Sequence, residues 1–84
     1  MPTISVFYGI TIMMYLRDKE HNPPHIHAFY GNMAAVFSIN DGSKLHGKFP
    51  ITASKLVKLF IEKYQQELLL MWETGVFKQL KGLD

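Results

Sequence analysis

Three of the four histidines fall in one short run, Glu20-His21-Asn22-Pro23-Pro24-His25-Ile26-His27. On an extended strand, residues two apart leave the same face, so His25 and His27 share a side. His21 stands four residues earlier, across two prolines that stiffen the backbone and could fold its ring back towards the pair. Three imidazoles with one position left open form the ligand set of a catalytic or transport zinc or nickel ion, which makes His21, His25 and His27 the metal candidates. Without a metal, two histidines near a lysine can move protons and stabilise the charge that develops in RNA cleavage. The same spacing also suits plain strand histidines, bonded to backbone carbonyls or to the charged stretch Arg17–Glu20, with Pro23 and Pro24 fixing a corner.

The elements that must position these rings come next. Alternating apolar residues predict strands over 3–7 and 10–16, joined near Tyr8-Gly9. A three-residue loop, Phe7-Tyr8-Gly9, is preferred over a two-residue one. It pairs Val6 with Ile10 and Ile4 with Ile12, and gathers Ile4, Val6, Ile10, Ile12, Met14 and Leu16 on one face. Strands over 25–30 and 33–39 flank the turn Gly31-Asn32, so that Tyr30 faces Met33, Ala28 faces Ala35 and Ile26 faces Phe37. Asn40-Asp41-Gly42 turns the chain again, pairing Phe37 with Leu45, Ala35 with Gly47 and Met33 with Phe49. Pro50 ends the sheet.

On these registers His25, His27, Ser38, Lys44, His46 and Lys48 share the face opposite the core. Such a face suits an anion, a phosphate backbone or an acidic partner, and equally an ordinary solvated side of an antiparallel sheet. Val36 separates His27 from His46 by two strand spacings, about 10 Å, too wide for joint ligation. His46 therefore stays out of the metal shell.

From Thr52, a fair N-cap, one long helix is expected to run to Gly75, a natural stop. Ala53, Leu56, Val57, Phe60, Ile61, Tyr64, Leu68, Met71 and Trp72 form its apolar stripe. Glu67 interrupts that stripe. A carboxylate there needs a partner, such as Arg17 or backbone near Pro23-Pro24, or it orients one of the histidines from behind. Leu69, Leu70 and Trp72 spread apolar surface around the helix and point to a protein partner or a homodimer, unless the tail folds over them. The tail, Val76 to Leu80, is expected to add a short helical turn before Lys81-Gly82-Leu83-Asp84 frays.

Composition bounds the function. The chain has 84 residues, 48% of them apolar, enough for the core of a single domain over 1–84 and too many for disorder. Absence of cysteine removes disulfides, thiolate metal sites and cysteine nucleophiles, and suits a reducing cytoplasm. Neither an export signal nor a membrane span is expected. A net charge of +2 is too slight to argue for nucleic acid by itself. No Ser/His/Asp arrangement, phosphate-binding glycine loop or catalytic carboxylate pair can be placed.

The chain resembles the small prokaryotic domain-of-unknown-function family numbered 4160. The residues that carry the likeness are Ile4-Ser5 through Phe7-Tyr8-Gly9-Ile10, the run Glu20 to Ala28, Tyr30-Gly31, Gly47 with Pro50, and Glu67-Leu68 with Trp72. The His-Asn-Pro-Pro-His-Ile-His core is its most specific part. Met13-Met14 and the Leu68–Met71 run are more apolar than the family's pattern. The resemblance implies an intracellular bacterial or archaeal protein. Members are often encoded beside a second small protein, in the manner of toxin–antitoxin pairs. The resemblance implies no catalytic residues.

The expectation is an α+β domain, an antiparallel sheet of about five strands with one long C-terminal helix on one face. Three functions compete. One is an interaction module of a two-gene, toxin–antitoxin-like system. Another is a metal-dependent or histidine-based, ribonuclease-like enzyme using His21, His25 and His27. The last is nucleic-acid binding through Lys44, His46 and Lys48.

Overall fold

The structure, a computed structural model, describes residues 3–15 and 23–83. Its strands are β1 (Thr3–Phe7), β2 (Ile10–Met13), β3 (His25–Tyr30), β4 (Met33–Ser38) and β5 (Lys44–Gly47). All neighbouring pairs are antiparallel, in the sheet order β1-β2-β3-β4-β5. Two helices follow, α1 (Ile51–Lys63) and α2 (Gln65–Thr74), and the chain is α+β.

Strict alternation makes β3 and β4 the regular centre. Their register pairs His25 with Ser38, Ile26 with Phe37, Ala28 with Ala35 and Tyr30 with Met33, as the apolar pattern predicts. Beyond the strand, the Ile39 N–H donates to the Pro24 carbonyl at 2.9 Å, so the second proline still serves the ladder as an acceptor. Ile26, Ala28, Ala35 and Phe37 are buried beneath the helices.

The first hairpin departs from expectation. Its loop is the two-residue turn Tyr8-Gly9, with Phe7 opposite Ile10 and Val6 opposite Thr11. Both loop residues have positive φ, at 51° and 78°. The two-residue hairpin turn demands that geometry, and it costs the non-glycine Tyr8 about 1–2 kcal/mol. A bulge between Thr3 and Ser5 then shifts the phase. Phe7 therefore turns inward to stack on Phe60 at 4.9 Å, while Val6, expected in the core, is 58% exposed. The bulge also turns Ser5 inward, and its buried hydroxyl has no hydrogen-bond partner among the described residues.

A second bulge lies between Val36 and Phe37. Ala35 pairs with Gly47 as expected, but Phe37 pairs with Lys44 in place of Leu45. Gly47 holds φ at +91°, and a Cβ there would collide with the Ala34 carbonyl oxygen.

The helical region is broken where a single helix is expected. Pro50, not Thr52, is the N-cap of α1, and no side chain caps it. Tyr64, at φ −116° and ψ 24°, ends α1 and starts α2. Gln65 explains the placement of the break, since its Nε2 donates to the carbonyls of Ile39 (3.0 Å) and Asn40 (2.8 Å). The apolar stripe is otherwise buried as its spacing predicts, with Ala53, Val57, Phe60, Ile61, Leu68, Met71 and Trp72 all in the core. Each of the larger aliphatic, methionine and phenylalanine side chains contributes about 1.5–3 kcal/mol, and the Ala53 methyl less.

Gly75 closes α2 in the left-handed conformation, its N–H bonded to the Met71 carbonyl. The tail then forms no helical turn. It runs to β1, where the Leu80 N–H donates to the Ile4 carbonyl at 2.7 Å. Phe77, Leu80 and Leu83 pack on the core, so Leu83 does not fray.

Replacing Gly47 with alanine adds a side chain at positive φ and drives it into the neighbouring strand. It should cost about 1–3 kcal/mol, read as a lower midpoint in urea. An unchanged midpoint would show that β5 shifts freely.

Candidate functional site

The start of β3 places His25 and His27 on one side, their ring centroids 5.3 Å apart. His25 is buried, and its Nδ1 lies 2.9 Å from the Pro23 carbonyl oxygen. A carbonyl only accepts, so Nδ1 carries the proton and Nε2 is the basic nitrogen of the neutral ring. The His25 ring packs on Trp72 at 4.9 Å, and that of His27 meets Tyr15 edge-on at 4.2 Å. Tyr15, His27, His25 and Trp72 thus form a continuous row of rings, from the end of β2 to α2.

Proline geometry, a strand end and a helix combine to hold His25. Pro24 bonds to Ile39, Pro23 to the imidazole, and Trp72 closes the third side. A neutral imidazole held this way can act as a base or a metal ligand through Nε2. His21 lies outside the described residues, as do Arg17 and Glu20. Among the described residues, no three histidine, aspartate or glutamate side chains come together as a metal site.

The wider face predicted around the pair separates into two places. Met13, His27, Val36 and His46 do form one row across β2 to β5. His27 and His46 both oppose Val36, which keeps their backbones about 10 Å apart. Lys44 leaves this face. The bulge at Leu45 pairs Lys44 with core-facing Phe37, and its side chain lines a cleft beside α1. Lys48 is exposed beyond the end of β5.

Ser38, opposite His25, is buried and serves the next turn. Its Oγ accepts from the Asn40 N–H at 3.2 Å, and its N–H donates to the Ser43 carbonyl.

Glu67 is half-buried in the first turn of α2 and lines a cleft with Leu70, Met71, Thr74, Val76 and Lys78. Among the described residues it has no hydrogen-bond partner, and two of its expected partners, Arg17 and the imidazole of His21, lie outside them. The expected apolar surface is smaller than predicted. Trp72 is 2% exposed, because its spacing from Leu68 places it in the core stripe, and Leu69 is half-buried against the core. Leu70 remains 64% exposed. Sequence reasoning missed Tyr15 and Gln65 as positioning residues, and no periodicity marks either.

The turn behind Ser38 is sensitive to acid. The Asp41 carboxylate accepts from the Ser43 N–H (2.9 Å) and the Ser43 hydroxyl (2.7 Å), and these bonds hold its pKa below the ordinary aspartate value. A depressed folded-state pKa means stability that is present above the unfolded value and is lost as pH falls through the folded one. The Ser43 amide resonance should therefore titrate with a midpoint below that of an unstructured aspartate. The Asp41→Asn variant should remove the transition. A midpoint at the unstructured value would contradict these bonds.

A model of the family described as Domain of unknown function (DUF4160) matches residues 9–73, well over half of the chain. Neither the curated proteins nor the solved structures returned a match. No described helix is long and apolar enough to cross a membrane.

Proposed function

The chain belongs to the DUF4160 family, and we propose that it is the interaction module of a two-gene, toxin–antitoxin-like system, acting in the cytoplasm. One observation carries this reading. Leu70 in α2 and Val76 in the tail after it are 64% and 72% exposed, and both line a cleft of about 310 Å³. Met71 lines the cleft, and Glu67 and Lys78 give it charges of both signs. An apolar centre with a charged border is the usual composition of a protein-docking surface. The paired gene that the family resemblance implies is the natural source of the partner, and a second copy of this chain is the other.

The paired histidines favour a second reading, in which His25 and His27, joined by His21, hold a zinc or nickel ion or act as acid and base on RNA. Its support is the Nδ1 bond to Pro23, which leaves Nε2 as the basic nitrogen of a positioned ring.

Both readings are open to test. Co-expression with the neighbouring gene should yield a complex. Leu70→Asp should weaken it at least about tenfold, as for a central interface residue, with little change in melting temperature because Leu70 is exposed. A chain that stays monomeric and ignores its neighbour's product would refute the docking role. Metal analysis of untagged protein decides the other reading. A stoichiometric ion that His27→Ala removes supports it, and metal-free protein without nuclease activity ends it.

A further inference from the structure

A second cleft, also about 310 Å³, lies between the β4–β5 turn and the start of α1. Its wall is Gly42, Ser43, Lys44, Phe49, Ile51, Ser54, Lys55 and Lys58. Three lysines from two elements converge there, and among the described residues no carboxylate joins them. In a chain whose net charge is only +2, this concentrates positive charge in one place. None of the three forms an ion pair with a described residue. The nearest acid along the chain, Asp41, is outside the lining, and its carboxylate is taken by Ser43.

The arrangement is built into the packing. Lys58 lies over Gly42 so closely that a Cβ at Gly42 would stand 2.8 Å from Lys58 Cγ. The second bulge, in turn, moves Lys44 off the histidine face and into this wall. The start of α1 adds to the positive potential, with no acidic residue in its first turn and no side-chain cap. Ser54 contributes a hydroxyl that bonds to no other described residue, and Phe49 and Ile51 form an apolar side wall.

We propose that this cleft binds a phosphoryl dianion, as inorganic phosphate or as the phosphate of a small phosphomonoester. Ammonium groups and a hydroxyl bond to phosphate oxygens in charge-assisted fashion, and a dianion offsets the mutual repulsion of three lysines. In a phosphomonoester, the organic part rests on Phe49 and Ile51. The site is independent of the docking surface on α2 and of the histidine pair.

Amide resonances of ¹⁵N-labelled protein, followed during addition of sodium phosphate at constant ionic strength, test the assignment. Saturable shifts are expected at Gly42 to Lys44 and Ile51 to Lys55. A parallel titration with a nucleoside monophosphate distinguishes the ester from the free ion, and tighter binding of either supports the site. Lys55→Gln combined with Lys58→Gln should weaken binding about tenfold or more, as expected for loss of charge-assisted bonds. Both residues are exposed, so the melting temperature should hold. Shifts that fail to saturate, or that survive the double variant, overturn the proposal. So does a single-stranded oligonucleotide that binds more tightly than both small anions and weakens steeply with salt, since the cleft would then be part of a nucleic-acid groove.

Discussion

The pairing of β3 with β4 is the interaction from which the remaining geometry follows. Six residue pairs run without a bulge from His25–Ser38 to Tyr30–Met33, and the Ile39–Pro24 hydrogen bond extends them by one step. That extension sets the corner at Pro23-Pro24, and with it the carbonyl that holds the His25 ring. Carbonyls just past this same end of the ladder, on Ile39 and Asn40, receive Gln65 and so fix where α2 begins. Trp72 reaches His25 because α2 starts there. A slip of one residue between β3 and β4 would exchange the buried and exposed faces and undo all of these contacts at once.

Period-2 alternation was legible wherever the ladder is unbroken, and it failed where a residue is inserted. Ile26, Ala28, Ala35 and Phe37 occupy the core face that their spacing implies. Val6 leaves the core face and Lys44 leaves the histidine face, because each lies beyond a bulge, and a bulge has no composition of its own. Tyr8 is a related case, since tyrosine is a poor marker for a residue at positive φ. The helix break at Tyr64 was invisible because neither proline nor glycine marks it. Its cause is the Gln65 side chain reaching a turn that is distant in sequence.

The candidate site was legible in one respect, the common face of His25 and His27. Its third dimension was not. Tyr15 and Trp72 meet the imidazoles only through tertiary packing, and Trp72 looked as much like surface as like core. The lysine cleft was hidden for the same reason. Lys44 was read with the histidines, whereas Lys55 and Lys58 belong to a helix face that appeared merely solvated.

The Leu80–Ile4 hydrogen bond has a bearing on how the chain is made. Each hairpin of the sheet joins neighbours in sequence and closes at a small entropic cost. The cover over the outer edge of β1 must instead come from a segment far along the chain, at Leu80. During vectorial synthesis β1 emerges well before the segment that covers it. For that interval the unpaired backbone of β1 is open to any other extended segment, including that of a sister chain on the same message. Phe77, Leu80 and Leu83, which pack on the core, therefore act late, and the Leu80 bond then shields the backbone of β1 at Ile4 from such recruitment.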